Sequence, residues 1–176
     1  MATQHLDLEE QEQLAQLKHF WNRWGNLITW ALIAVLGAFA AWNGWNFWQQ
    51  RQAVQAAALY DQMEAATQAG DVERTTRVLA DMQASYPGAE YAAQAALLAA
   101  KTLVEKEKTA EAKAALAWVT EKAADSGLQA TARLRLASLL YADKAYDEAL
   151  QQLSARFDPA FAPLAADRRG DVLLAQ

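Results

Sequence analysis

Few residues in this chain have the types and spacing that catalysis requires. Its two histidines, His5 and His19, both lie near the N-terminus, and the sequence contains no cysteine. A histidine general base or histidine metal site in the rest of the chain is therefore excluded, as are thiolate nucleophiles, disulfides and zinc fingers.

The carboxylates and serines do not form a catalytic arrangement either. Glu105 and Glu107 are two residues apart, and Asp147 and Glu148 are adjacent. Side chains at these spacings point to different faces of a helix. The serines have no histidine to activate them, and none of the seven glycines forms a phosphate-binding loop after a strand. The sequence thus predicts no enzymatic activity, no cofactor and no metal site.

The net charge argues against nucleic acid as a partner. The chain has 16 lysines and arginines against 21 aspartates and glutamates, a formal charge of −5, and its basic residues form no run. Neutralisation of phosphates by basic side chains supplies most of the affinity for nucleic acid. Binding to proteins or to a membrane remains, and it depends on the elements that would position a binding surface.

An uncharged stretch from Trp24 to Gln50 has the length and composition of a membrane helix. Its centre, Leu27 to Trp42, is apolar apart from Thr29, and at ~1.5 Å per residue the stretch crosses a hydrocarbon core of ~30 Å. Six of the seven tryptophans lie near its ends, as in interfacial aromatic belts: Trp21, Trp24, Trp30, Trp42, Trp45 and Trp48. We predict an N-terminal tail over residues 1–26 and a transmembrane signal anchor over residues 27–48.

Two alternatives to this anchor are open. A buried helix of a soluble domain would have to hide residues that are apolar on every face. A cleaved signal peptide is the other alternative, because Ala38-Phe39-Ala40 has the small-x-small pattern of a cleavage site. The long, acidic leader is unlike the short basic region of a signal peptide and favours an uncleaved anchor.

Flanking charges and small residues indicate how the anchor is oriented and what it contacts. Lys18 and Arg23 precede it, whereas Arg51 alone follows closely, which favours a cytoplasmic N-terminus and an exported domain. Small residues four apart form patches where another helix could pack closely: Gly37, Ala40, Ala41 and Gly44. The alternative is ordinary lipid-facing composition.

Residues 49–176 have the composition of an all-α domain. Alanine, the best helix former, is abundant, and no stretch alternates β-branched with polar residues as a strand would. Turn-forming residues divide the domain into helices of about 12 to 18 residues: Gly70, Pro87-Gly88, Gly127, Pro159 and Pro163. The absence of Gly and Pro between Gly44 and Gly70 also predicts that the membrane helix runs on into the first helix of this domain.

A repeat of 37 residues runs through the domain. Three similar turn sequences are each followed by a small residue, at Thr75, Ala112 and Ala149. Four residues after these come Leu79, Leu116 and Leu153, and nine residues before them come Ala66, Leu103 and Leu140. Each unit is therefore a helix, a tight turn and a second helix, with the small residue where the two helices cross.

The repeat resembles a tetratricopeptide repeat. Tyr146-Asp147-Glu148-Ala149 matches the turn consensus, and Pro87 stands at the family's proline position in the first unit. The period is longer than the usual ~34 residues, the second unit lacks its proline, and the early tryptophan position holds Leu59, Ala96 and Arg133. We predict three units plus part of a fourth.

The fourth unit has only its first helix, from Leu164 to Gln176. A solenoid needs a capped end. We therefore expect either that the domain is C-terminally incomplete or that it ends on an uncovered apolar stripe through Val172 and Leu173.

Taken together, the tail, the tryptophan-flanked anchor and the alanine-rich repeats resemble the family of ancillary subunits of the bacterial Sec translocon, including the segments Phe161-Ala162-Pro163-Leu164 and Arg169-Gly170-Asp171. The resemblance implies an inner-membrane, single-pass protein with a periplasmic repeat domain. Its implied partners are the Sec translocon, a membrane-anchored periplasmic chaperone of the peptidyl-prolyl isomerase class, and exported client proteins. It implies a role in the folding or handover of exported proteins.

In tetratricopeptide-like stacks the first helix of each unit lines a concave groove for a partner. The repeat alignment places there Tyr60, Glu64, Leu97, Lys101, Leu134, Ser138 and Tyr141. Leu97 and Leu134 would alternatively be core residues, and we expect Trp118 to be core. A second function is also open: a structural scaffold of a cell-envelope complex that does not bind unfolded clients.

Overall fold

The computed structural model describes the backbone of residues 8–176 and the side chains from Lys18 onward. Residues 1–7 of the predicted tail, with His5, lie outside this range. The described part of the chain contains seven α-helices and no strand, which confirms the all-α class: α1 Leu8–Gln68, α2 Val72–Ser85, α3 Glu90–Glu105, α4 Thr109–Lys122, α5 Ser126–Ala142, α6 Tyr146–Leu153 and α7 Ala162–Ala175.

The chain divides into two compact units, of which the first ends at Gln49 and the second spans Gln50–Gln176. Among the described residues, α1 is the one helix whose length and composition would let it cross a membrane. Only 6 % of the most apolar 18-residue stretch of α1 is buried, so this stretch is not a core helix in the structure. α1 has no break between Gly44 and Gly70, as the sequence predicts.

Polar side chains in the apolar part of α1 are satisfied by the helix itself. Thr29 Oγ1 donates to the Gly25 carbonyl at 2.8 Å, and Asn43 Nδ2 donates to the Phe39 carbonyl at 3.1 Å. Such bonds to a preceding turn lower the cost of placing a hydroxyl or amide in hydrocarbon. The helix can therefore carry both polar residues without a partner chain.

In the part of the chain that spans Gln50–Gln176, the positions predicted from the 37-residue repeat lie in the interior. All nine are buried, at 6 % exposure or less: Ala66, Thr75, Leu79, Leu103, Ala112, Leu116, Leu140, Ala149 and Leu153. The small residue at each crossing lets the two helices of a unit approach closely, and the leucine four residues later fills the adjoining space. Trp118, which the sequence places in the core, is half-buried and packs against it.

The same backbone turn joins the two helices of each unit. Gly70, Glu107 and Lys144 have φ values of 63°, 60° and 59° and follow one another at 37-residue intervals. In the first turn, the Gly70 N–H donates to Thr67 and the Asp71 N–H donates to Ala66. This paired pattern is a Schellman motif, which ends a helix with one residue in the left-handed conformation.

Later helices depart from the expected lengths and exposure. α6 has only 8 residues and is shorter than predicted. A loop that contains Asp158-Pro159 follows it, and a proline disfavours helical backbone at the residue before it. α7 packs against α6 and α5 as the first helix of a fourth unit. Val172 is 2 % exposed and belongs to the core, so the prediction of an uncovered stripe through it is wrong, although Leu173 and Leu174 are exposed.

Candidate partner-binding grooves

The exposed surface between successive first helices forms two grooves. The first groove lies between α3 and α5 and has a volume of about 430 Å³. The side chain of Leu116, from α4, contributes to its lining. The remaining lining residues come from the facing sides of α3 and α5: Ala100, Lys101, Val104, Glu105, Arg135, Ser138 and Leu139.

The second groove lies between α5 and α7 and has a volume of about 390 Å³. Leu153, from α6, lines it as Leu116 lines the first groove. The other residues are Ala137, Ser138, Tyr141, Arg168, Asp171, Val172, Leu174 and Ala175. Ser138 lines both grooves, so they adjoin one another along α5.

The second groove is the first groove displaced by one repeat. Six of its residues follow a first-groove residue by 37 positions: Ala137 follows Ala100, Ser138 follows Lys101, Tyr141 follows Val104, Leu153 follows Leu116, Val172 follows Arg135 and Ala175 follows Ser138. The repeat thus presents two equivalent surfaces with small apolar side chains and a leucine, a composition that suits apolar side chains of a partner polypeptide.

The two grooves differ in charge. The first has two cationic side chains, Lys101 and Arg135, whose equivalents in the second are a serine and a valine. Lys101 Nζ lies 3.8 Å from Glu105 Oε1 on the exposed surface. In the second groove, Arg168 Nη1 lies 3.9 Å from Asp171 Oδ2. Exposed pairs at these distances contribute little to stability, so the charged side chains of both pairs can reorient towards a ligand.

Arg135 also has a structural contact. Its Nη1 donates to the carbonyl of Leu97 at 3.3 Å and so connects α5 to α3 across the first groove. This bond holds one end of the guanidinium group beside the apolar surface. The guanidinium carries further N–H donors that remain available for a partner.

Three of the seven predicted groove residues line these grooves. Lys101, Ser138 and Tyr141 are exposed there, and the Tyr141 ring packs against Tyr146 with centroids 5.9 Å apart. Ser138 Oγ donates to the Leu134 carbonyl at 2.9 Å.

The other four predicted residues lie elsewhere. Leu97 is buried in the core, and Leu134 is half-buried against it. Glu64 is exposed on α1, outside both grooves. Tyr60 packs against the core, and its ring centroid lies 5.6 Å from that of Tyr91.

Tyr60 is the described group whose ionisation is clearly perturbed. Burial raises the pKa of its phenol, and the negative charge of Glu64 and the neighbouring Tyr91 raise it further. The phenol is therefore neutral at physiological pH and acts as a hydrogen-bonding group rather than as a base. In residues 18–176, no three His, Asp or Glu side chains are grouped so as to hold a metal ion.

Sequence reasoning missed several groove residues. Val104, Arg135 and Leu139 line the first groove, and α7 supplies one wall of the second. Val104 could have been found, because it stands 37 residues before the predicted Tyr141. Arg135 gave no such signal, since its equivalent in the fourth unit is the apolar Val172.

The small residues of the apolar segment are exposed in the single chain. Gly37, Ala40, Ala41 and Gly44 are all exposed, and a Cβ built on either glycine would meet nothing within 4 Å. Close helix packing on this face is a prediction that requires a second helix.

Known proteins share the sequence features of this chain. Residues 18–176 match the tetratricopeptide repeat-like domain family. The chain is also similar to the ancillary SecYEG translocon subunit of Neisseria gonorrhoeae, at 35 % identity over 170 residues, which cover 96 % of this chain and 81 % of that protein. No solved structure matches the chain significantly.

Proposed function

Because the chain belongs to the family of ancillary SecYEG translocon subunits with a tetratricopeptide repeat-like domain, we propose that it is a membrane-anchored protein–protein interaction subunit of the Sec translocon. The observation that carries this proposal is the pair of equivalent grooves lined by Leu116 and Leu153. Two adjoining grooves with equivalent lining residues suit an elongated polypeptide ligand, which gains affinity from each groove that it fills.

We also propose where the protein lies in the cell and which partners it binds. The apolar segment of α1 anchors the protein in the inner membrane, with the N-terminus in the cytoplasm and residues 49–176 in the periplasm. There the grooves bind a membrane-anchored chaperone of the peptidyl-prolyl isomerase class and assist the folding or handover of exported proteins. The role is one of binding, without catalysis.

Groove variants of the full-length protein test the binding role. Val104→Glu and Tyr141→Glu place a charge at equivalent, partly exposed positions of the two grooves. Ala80→Glu is the matched control, because Ala80 is exposed on α2 outside both grooves. After purification in mild detergent, the groove variants should lose the translocon or the chaperone, and the control should retain both. Equal recovery from all three, with unchanged melting temperatures, would contradict the proposal.

Crosslinking separates this role from that of a structural scaffold. A photo-crosslinking amino acid at Ser138 lies in both grooves. Crosslinks to several newly exported chains during active secretion are expected if the grooves assist clients. Crosslinks to a single folded envelope protein, unchanged when secretion is blocked, would favour the scaffold.

Protease accessibility tests the orientation. Protease added to spheroplasts should digest residues 49–176 and leave a fragment that contains the apolar segment in the membrane. Protection of the repeat domain until the cells are lysed would reverse the orientation, and a soluble domain that begins near Ala41 would show that a signal peptide is cleaved.

A further inference from the structure

A third cavity lies at the opposite end of α3 from the first groove. Its volume is about 290 Å³, and it lies between the turn before α3 and the turn that joins α4 to α5. It shares no residue with either groove. Its apolar lining includes Ala93 and Ala123, which are buried, and Ala124 and Leu128, which are not.

One repeat later, the space equivalent to this cavity holds an aromatic ring of the chain itself. Phe161 follows Ala124 by 37 residues, and Gly127 follows Glu90 by the same interval. The Phe161 ring covers Gly127: its Cε2 and Cζ atoms would lie 3.7 and 3.9 Å from a Cβ at that glycine. The repeat architecture therefore accommodates a phenyl ring at this place, between the turn before one first helix and the turn before the next.

The cavity is open because Ala124 has only a methyl group where the next unit has Phe161. Ala93 and Ala123 offer no side-chain hydrogen bond to water, so water in contact with them is poorly held. An apolar side chain that displaces this water would gain the hydrophobic free energy of burial. An aromatic side chain supplied by another molecule has the shape that the following repeat already uses.

The side chains at the rim of the cavity carry a net negative charge, which would attract a cationic group beside that ring. The charged lining side chains are two carboxylates, Glu90 and Asp125, and one ammonium group, Lys122. Asp125 Oδ1 accepts from the Leu128 N–H at 2.8 Å, and Glu90 Oε1 accepts from Gln94 Nε2 at 2.9 Å. Each carboxylate has a second oxygen that can accept a hydrogen bond from a cation.

We propose that this cavity is a second docking site, which receives a phenylalanine side chain of a partner polypeptide that has a lysine or arginine beside the phenylalanine. It is independent of the two grooves, because it lies at the other end of α3. A polypeptide held here and a polypeptide held in the grooves would not compete for residues.

Peptide binding to the full-length protein in detergent tests this site. The probe is the peptide acetyl-Gly-Phe-Lys-Gly-amide, and the readout is the NMR signals of ¹³C-labelled alanine methyl groups. The Ala93 and Ala123 methyl signals should shift saturably with this peptide, because an aromatic ring displaces nearby resonances. The peptide with alanine in place of phenylalanine should cause no shift, and the peptide with glutamate in place of lysine should bind several-fold more weakly.

A variant that fills the cavity supplies the control. Ala124→Phe should shift the Ala93 and Ala123 signals without peptide, abolish the response to the peptide and raise the melting temperature. Ala114→Phe, on an exposed position of α4, should keep the response. The proposal is overturned if Ala124→Phe leaves peptide binding intact, or if the alanine peptide binds equally well. It is also overturned if these signals change with protein concentration alone, which would identify the occupant as a second copy. The same holds if the signals change with detergent concentration and do not respond to the peptide, which would identify the occupant as a detergent acyl chain.

Discussion

Glu107 and Lys144 hold the same left-handed backbone conformation, with φ values of 60° and 59°, at equivalent turns 37 residues apart. The first unit has Gly70 at this position, with φ of 63°. Each turn repeats the same two hydrogen bonds: the Glu107 N–H donates to Val104 and the Lys108 N–H to Leu103, while the Lys144 N–H donates to Tyr141 and the Ala145 N–H to Leu140. The turn geometry is thus a property of the repeat, and glycine is only one way of meeting it.

Glycine at the second and third turns should stabilise the protein. A side chain in the left-handed conformation costs roughly 1–2 kcal/mol, whereas glycine adopts it freely but loses about 0.5–1 kcal/mol through its greater freedom in the unfolded chain. We expect Glu107→Gly and Lys144→Gly each to gain up to about 1 kcal/mol, or about 2–4 °C in melting temperature. The measurement is thermal unfolding of the full chain in detergent, followed by circular dichroism. Lys108→Gly, next to the turn residue, is the control and should give no gain.

Thr75 is the position where the repeat core can be improved most simply. Its hydroxyl is fully buried and has no hydrogen-bond partner among the described residues, whereas the other two units have alanine there. An unpaired buried hydroxyl costs about 1–3 kcal/mol. Thr75→Val keeps the volume and removes the hydroxyl, so the free energy of unfolding should rise by about this amount.

Thr120 provides the matched comparison for Thr75. It is also buried, but its Oγ1 donates to the Ala117 carbonyl at 2.8 Å. Thr120→Val removes a satisfied hydrogen bond and should lower the free energy of unfolding or leave it unchanged. If the two valine variants shift the denaturation midpoint equally, the Thr75 hydroxyl has a partner in solution.

The sequence predicted the repeat core more accurately than the groove. The core positions are fixed by a 37-residue interval and a contrast between small and large residues, and every one of them is buried. The groove depends on how each first helix is rotated about its own axis. α3 is so rich in alanine that Ala92, Ala93, Ala95, Ala96, Ala99 and Ala100 are all buried, and alanine marks neither an apolar nor a polar face.

Leu97 and Leu134 illustrate this limit. The alignment correctly made them equivalent to Tyr60, and all three residues pack in or against the core. The position four residues later, which holds Lys101 in α3 and Ser138 in α5, does line the grooves. A repeat period states which residues are equivalent, but tertiary packing decides which equivalent set faces outward.

The small residues at the helix crossings should be intolerant of large side chains. Ala112 and Ala149 are fully buried where the helices of their units cross, and overpacking such a site costs roughly 1–3 kcal/mol or more. We expect Ala112→Trp and Ala149→Trp to lower the melting temperature by several degrees. Ala114→Trp, on the exposed side of α4, should change it little. Three equal melting temperatures would mean that the crossings lie elsewhere.

One ion pair should contribute more to stability than the other surface pairs. Lys113 Nζ, on α4, lies 2.6 Å from Asp143 Oδ2, at the end of α5, and the lysine side chain is only 29 % exposed. The pair connects the second helix of one unit to the turn of the next, and the backbone of both segments is held in place by the packed core. Less side-chain entropy is then lost on pairing than at a mobile surface site.

A double-mutant cycle measures this contribution. Lys113→Ala, Asp143→Ala and the double variant should give a coupling energy of about 0.5–1 kcal/mol at low salt. The coupling should shrink in 1 M salt, where the Debye length falls to ~3 Å. The same cycle on Lys101 and Glu105, which lie 3.8 Å apart with side chains 68 % and 59 % exposed, should give a coupling near zero at either salt concentration. If the two cycles give the same value, burial and attachment to the core do not strengthen the Lys113–Asp143 pair, and the contact between successive units depends on apolar packing alone.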